Sequence, residues 1–258
     1  MNPVNAQTGW DWVKQGFALF RKQPADMLTL FFSYMFLIMG IGLIPFFGQF
    51  LPLILIPVFS MSFMQACRQL DEGQKISPNL LLTGFRSPAF PRLLGLGLCY
   101  VLAVTLAIWA SSLVDGGVFW EFITSQKPID PKTLPESSLF LGMLVSALVY
   151  TPALMAFWFA APLIAWNKMS VAKAAFYSFF AVQRSAKAFL VYGLAWLLIG
   201  VILPTIVSLL IAVVVGKAIV VVLLMMPVSV VLTVIMYCSF YPTYTHLFGK
   251  PEPEPQAA

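Results

Sequence analysis

Charge is missing from long, contiguous blocks of this chain. No Asp, Glu, Lys, Arg or His occurs in 27–67, 93–114, 139–166, 188–216 or 218–245. Inside a bilayer the backbone must satisfy its own N–H and C=O groups, so only helices and closed β-barrels can span it. Barrel strands alternate apolar and polar residues, and these blocks do not. A spanning helix needs about 20 apolar residues. The blocks therefore predict six crossings, at about 27–47, 50–67, 93–114, 139–166, 189–215 and 218–243. Pro45-Phe46-Phe47-Gly48-Gln49 divides the first pair and Gly216-Lys217 the last. Only 10% of the residues are charged, against about 25% in soluble domains. The fold class expected is all-α: a polytopic transmembrane helical bundle, six crossings in three helical hairpins, each preceded by a short interfacial amphipathic helix. Residues 1–248 read as a single integral membrane domain. The Pro- and Glu-rich tail, 249–258, reads as disordered.

The first short helix is expected at about 9–23. At 100° per residue, Trp10, Val13, Phe17 and Phe20 share one arc, which Trp12, Gly16 and Leu19 widen. Asp11, Lys14, Gln15, Ala18, Arg21 and Lys22 lie opposite. Thr8 is the expected N-cap, with Asp11 completing an approximate capping box, and Pro24 ends the helix. An aromatic face opposed to a basic one suits a membrane interface. The alternative is an amphipathic helix packed on a core. A second short helix runs from Ser77-Pro78 to Arg86, stopped by Ser87-Pro88. A third runs from Ser170 to Arg184. It groups Val171, Ala175, Phe176, Phe179 and Val182 on one face, with Lys173, Tyr177, Ser178 and Arg184 opposite. The membrane-interface residues expected are thus Trp10, Trp12, Lys14, Phe17, Phe20, Arg21, Lys22, Arg86, Lys173, Phe176, Phe179 and Arg184.

Three units share this plan. Units one and three align without gaps at an offset of 159, which pairs Lys14 with Lys173, Phe17 with Phe176, Phe20 with Phe179 and Pro45 with Pro204. Leu53–Val58 echoes Leu223–Val228. Parallel repeats occur in transporters, though apolar sequences also resemble one another by composition alone.

The charges predict orientation. Of the 15 Lys and Arg residues, 12 fall on the side of the termini and only Lys127, Lys132 and Lys217 on the other. By the positive-inside rule both termini are cytoplasmic. The net charge of +5 points to anionic lipid headgroups as partners and not to nucleic acid. The first 26 residues hold no short apolar core with a cleavage site, so crossing 1 is expected to act as an uncleaved signal anchor.

Little in the chain suggests reaction chemistry. No ionisable residue sits mid-crossing, which argues against proton relays, ion-coupled pumps and voltage sensing. His246 is the single histidine. Cys67, Cys99 and Cys238 are dispersed, without the close pairs a metal site favours. Asp115 and Glu121 make at most a weak cation pair, and a solvated loop is the simpler reading. No catalytic residue, metal or cofactor is expected. Pro57, Pro152, Pro162 and Pro227 predict kinks. With Gln65, the costliest residue to bury, they mark a candidate helix-kink or solute path. A transporter should gather Ser62, Gln65, Ser146, Thr151 and Ser229 around one wet cavity, whereas a scaffold should scatter them through helix contacts.

Gly9-Trp10-x-Trp12-Val-Lys-Gln-Gly-Phe-Ala-Leu-Phe-Arg-Lys-Gln-Pro24, Ser60-Met-x-Phe-Met-Gln-Ala-Cys-Arg68, Gly84-Phe-Arg-Ser-Pro88 and Val114-Asp-Gly-Gly-Val-Phe-Trp120 resemble a family of uncharacterised multi-pass, six-helix inner-membrane proteins of Gram-negative bacteria. The likeness covers nearly the whole chain apart from the tail. It implies a bacterial inner-membrane protein and supplies no activity, substrate or site residue. The charged signature of the threefold mitochondrial carriers is missing. The functional expectation is a non-enzymatic accessory or envelope-homeostasis protein that binds lipids or other membrane proteins. The alternative is a transporter or permease for a neutral or apolar solute or lipid.

Overall fold

The structure is a computed structural model that describes residues 4–45, 48, 50–124 and 136–251. Among these residues it is all helix. Its elements are α1 (Ala6–Lys22), α2 (Pro24–Gly42), α3 (Leu51–Asp71), a 3-10 turn (Pro78–Leu82) running into α4 (Thr83–Arg86), α5 (Phe90–Asp115), α6 (Val118–Thr124), α7 (Glu136–Phe157), α8 (Ala160–Ala165), α9 (Val171–Arg184), α10 (Ala186–Leu197), a π-helical turn (Leu198–Ile202), α11 (Leu203–Val215) and α12 (Ala218–Phe248). Six helical stretches are long and apolar enough to cross a membrane: Pro24–Gly42, Leu51–Asp71, Phe90–Asp115, Ser138–Ala165, Ala186–Val215 and Ala218–Phe248.

Backbone chemistry explains where these stretches bend or stop. The first ends at Gly42, because the N–H groups of Leu43 and Ile44 turn back to Gly40 and Ile41 ahead of Pro45; residues 46 and 47 of its expected span lie outside the described residues. The fourth breaks at Trp158-Phe159, between α7 and α8. Pro162 has no N–H to offer the Trp158 carbonyl, so the ladder fails there. In the fifth, Pro204 is preceded by the π-helical turn, in which the Leu203 N–H reaches the Leu198 carbonyl.

Two expectations about caps are corrected. Asn5, not Thr8, caps α1, and its carboxamide oxygen accepts from the Thr8 N–H at 3.1 Å. Asp11 completes no capping box; it pairs with Lys14 at 2.7 Å. Ser77 and Ser170 occupy N-cap positions without a side-chain cap bond.

The packing of the short segments is cyclic. The Pro78–Arg86 segment packs on α2 and α3, α9 packs on α7 and α8, and α1 packs on α10 and α12. Each short segment thus leans on the hairpin of the unit before it, and the first closes on the last. The centre of the core is α3, whose spanning window is 61% buried, against 0% for Ala186–Val215. Burial concentrates toward the helix ends that carry the basic residues: Leu55–Leu70, Leu93 and Leu96, Phe159–Ile164 and Val234–Leu247. At the far end, Leu209, Val213, Val214 and Leu223 are exposed. A helix apolar on every side belongs against a core or against lipid.

The basic end is tied down by polar contacts. Lys22 Nζ donates to the Leu70 carbonyl at 3.1 Å. The Gln23 side chain donates to the Gln74 carbonyl at 2.8 Å and accepts from the Ile76 N–H at 3.2 Å. Lys250 pairs with Asp71 at 2.6 Å, and Arg92 donates to the Lys168 carbonyl at 3.2 Å.

Candidate functional site: an aromatic cavity where the hairpins meet

α1 turns part of its expected apolar arc onto protein, the alternative of an amphipathic helix packed on a core. Its buried stripe is Gly9, Trp12, Val13, Gly16 and Leu19. The two glycines let the backbones approach closely. A Cβ on Gly9 would strike the Ala188 carbonyl of α10, and one on Gly16 would lie 2.5 Å from Ser239 Cβ of α12. Trp12 corrects the interfacial expectation outright. It is fully buried, with ring centres 5.2 Å from Phe189, 6.0 Å from Tyr192 and 6.1 Å from His246. Phe17 stacks on Trp196 at 6.3 Å and Phe20 is half-buried. Trp10 is 43% exposed, and Arg21, Arg86 and Arg184 are exposed. In α9 the inward face is Ala174, Ser178, Ala181 and Val182. Phe176 is exposed there, Phe179 is half-buried, and Lys173 lies 5.9 Å above the Tyr177 ring.

Ser178, expected on the polar side of α9, is wholly buried and bridges the break in the fourth crossing. Its Oγ donates to the Met155 carbonyl at 2.8 Å and accepts from the Phe159 N–H at 2.9 Å. Those two backbone groups would pair with each other in an unbroken helix. One hydroxyl therefore satisfies both and holds open the turn that carries Trp158.

That turn faces a cavity of about 340 Å³. The second helix of each hairpin lines it: α3 through Phe59, Ser60 and Phe63, α7–α8 through Leu154, Trp158 and Pro162, and α12 through Met236, Tyr237 and Phe240. Tyr34 of α2 and Tyr100 of α5 complete the wall. The rings interlock, Phe63 on Tyr237 at 4.6 Å, Tyr34 edge-on to Phe59 at 5.0 Å and Tyr100 on Phe157 at 4.6 Å. A second cavity, about 310 Å³, lies between α7, α9, α10 and α12. The two share Leu154, Trp158, Met236 and Phe240. Both volumes sit at the low end of the roughly 300–1,000 Å³ of small-molecule sites. No charged side chain lines either one.

Of the expected path residues, Pro162 lines the first cavity and the others do not. Pro57 is buried in α3, and Pro152 and Pro227 are exposed. Gln65 accepts from Trp166 Nε1 at 3.4 Å, outside the cavity wall. The mild polar residues do not gather around one space. Ser62 donates to the Leu81 carbonyl, and Thr151 bonds back to Ala147 within its own helix. The lining aromatics carry one signal in the sequence. Phe59, Phe63 and Met64 lie two, six and seven residues after Pro57, and Leu154, Trp158 and Phe159 lie two, six and seven after Pro152.

Elsewhere the polar groups serve the fold. Both Asp115 carboxylate oxygens accept backbone N–H groups, from Gly117 at 2.8 Å and Phe119 at 2.9 Å, and so cap α6. The Cys67 thiol donates to the Tyr237 carbonyl of α12 at 4.0 Å, Cys238 is buried on α12, and Cys99 is half-buried on α5. Among the described residues no three His, Cys, Asp or Glu side chains are grouped closely enough to hold a metal.

Six apolar helical stretches and an aromatic cavity inside the helix assembly define a polytopic α-helical membrane protein. The chain is 37% identical over 255 residues to a probable inner membrane protein of Burkholderia thailandensis, an alignment covering 97% of this chain and 94% of the relative. It belongs to that family of probable inner-membrane proteins and is a multi-pass protein of the inner membrane. No protein-family model and no solved structure matches it.

Proposed function

We propose that this is a non-enzymatic inner-membrane protein that binds an apolar molecule, a lipid or its hydrocarbon chain, in the cavity between α3, α7–α8 and α12. The observation that carries this reading is the lining. It is ring-rich and uncharged, and it is built from the second helix of every hairpin. Hydrocarbon in such a site replaces lipid contacts with aromatic ones and meets no charged group. Leu154 lines both cavities and is 46% exposed, which suits entry from the bilayer. A solute carrier with a wet path is the weaker reading, because the polar residues it would use are dispersed.

The test is extraction of the protein from its native membrane in polymer discs, with mass spectrometry of what accompanies it. Leu154→Trp and Met236→Trp fill the cavities. The proposal expects one apolar species in fixed ratio with the wild-type protein and its loss from both variants at unchanged thermal midpoint. An identical lipid profile in all three refutes it.

Both termini are proposed to be cytoplasmic, on the charge asymmetry. Lys217→Cys should react with an impermeant maleimide in spheroplasts and Lys75→Cys only after lysis. Both positions are exposed. The reverse pattern inverts the orientation.

A further inference from the structure

We infer that the two adjoining cavities form one site for an uncharged amphiphile, a hydrocarbon chain ending in a hydroxyl or carbonyl group, with its polar end in the first cavity and its chain in the second. This rests on the function proposed above and specifies the ligand.

The argument starts from the difference between the two walls. The hydroxyl-bearing residues Tyr34, Ser60, Tyr100, Tyr237 and Thr243 line the first cavity, and Thr243 already donates to the Phe240 carbonyl at 2.6 Å. Tyr34 of α2 and Tyr237 of α12 pack on the same Phe63 ring, at 5.4 and 4.6 Å. Neither the Ser60 nor the Tyr100 hydroxyl has a hydrogen-bond partner among the described residues. A hydroxyl facing a low-dielectric space gains from a ligand that completes its bond. The second cavity is hydrocarbon and aromatic surface almost throughout. Its one hydroxyl, on Tyr192, is already committed to Ser239 at 2.6 Å. Trp196 Nε1, also on a residue of this wall, has no hydrogen-bond partner among the described residues but is itself buried, so the accessible surface offers contacts to a chain.

The absence of charge from both walls sets the class of headgroup. A phosphate or carboxylate there would be a desolvated ion without a counter-charge, which is strongly disfavoured. An alcohol, ester or ketone oxygen needs only the hydroxyls present. Trp158 lies on both walls, held at the helix break by the Ser178 bridge. A chain passing from one cavity to the other runs along its ring.

The experiment uses the full-length protein in lipid nanodiscs with three photoreactive probes of equal chain length: a fatty alcohol, the corresponding fatty acid at a pH where it is ionised, and the alkane. Sites of labelling are mapped by peptide mass spectrometry. The inference expects the alcohol to label cavity peptides most strongly and the carboxylate to fall short by roughly tenfold or more. Ser60→Ala and Tyr100→Phe should each lower alcohol labelling by about two- to tenfold, the loss of one hydrogen bond, and leave the alkane unchanged. Gly193 lines the second cavity and has open space where a side chain would go. Gly193→Leu should therefore weaken a long-chain alcohol and spare a short one. Equal labelling by all three probes, insensitive to Ser60→Ala and Tyr100→Phe, overturns the headgroup assignment and leaves chain binding standing. Labelling by none of them overturns both.

Discussion

Gly16→Ala tests the packing of α1 most sharply. If α1 lay in the membrane interface, adding one methyl would favour the helix, since Gly costs about 1 kcal/mol relative to Ala in a helix interior. The structure instead puts that methyl 2.5 Å from Ser239 Cβ and 2.8 Å from Ser239 Cα, where ordinary contact begins at 3.4 Å. A gap of 0.9 Å (3.4 − 2.5) must open between α1 and α12. Their backbones, not flexible side chains, set that spacing. Overpacking of this kind costs about 1–3 kcal/mol. Gly95→Ala is the matched control. Gly95 also lies inside a helix, but its Cβ would meet Val171 Cγ2 at 3.7 Å, an ordinary contact. The helix-propensity gain is common to both variants, so their difference reports packing alone. At about 2–4 °C per kcal/mol for a chain near this size, Gly16→Ala should melt about 2–12 °C below Gly95→Ala in the same nanodiscs. Tryptophan fluorescence against temperature reads the difference. Equal midpoints would mean that α1 is not wedged between α10 and α12.

Other substitutions test separate contacts. Trp12→Ala should cost about 3–5 kcal/mol, the range for a buried aromatic, and collapse the melting point; an effect below about 0.5 kcal/mol, as for a surface residue, would place Trp12 outside the core. Ser178→Ala strands the buried Phe159 N–H and Met155 carbonyl, so a loss of about 1–3 kcal/mol is expected. Retention of the wild-type melting point would show that the break in the fourth crossing needs no bridge. Lys250 is held above its usual ionisation range by the hydrogen bond and charge of Asp71. A raised lysine stabilises the fold fully below its unfolded value of 10.5 and ceases to do so as pH climbs through the raised one. The stability difference between wild type and Lys250→Ala should therefore hold at neutral pH and vanish in strong alkali. It should also shrink with salt, because the pair is exposed. A difference that grows with pH contradicts the pairing.

What could be read from the sequence follows from the range of the forces involved. The six crossings are set by local composition, and hydropathy alone places them. The proline effects are equally local, since Pro162 removes its own N–H wherever the helix lies. The inward face of α1 was harder, because Trp10, Trp12, Phe17 and Phe20 ring much of its circumference. Which of them faces protein is decided by α10 and α12, more than 160 residues further along the chain. Helical spacing placed Ser178 among polar residues. Its partners are the free backbone groups of a break in another helix, which no local pattern reveals. The cavity is invisible in the sequence for a related reason. Phe63 and Trp158 each follow a proline by six residues, but only the meeting of three hairpins turns that shared spacing into a wall.

The central claim is that the cavity holds an apolar molecule distinct from the surrounding bilayer. Benzoylphenylalanine placed at Phe63, on the cavity wall, and at Leu209, on the exposed far part of α11, tests it directly by cross-linking in living membranes. The account predicts that position 63 captures a single uncharged species and position 209 the bulk phospholipids in their membrane proportions. The same phospholipid mixture at both positions, or no adduct at 63, contradicts it.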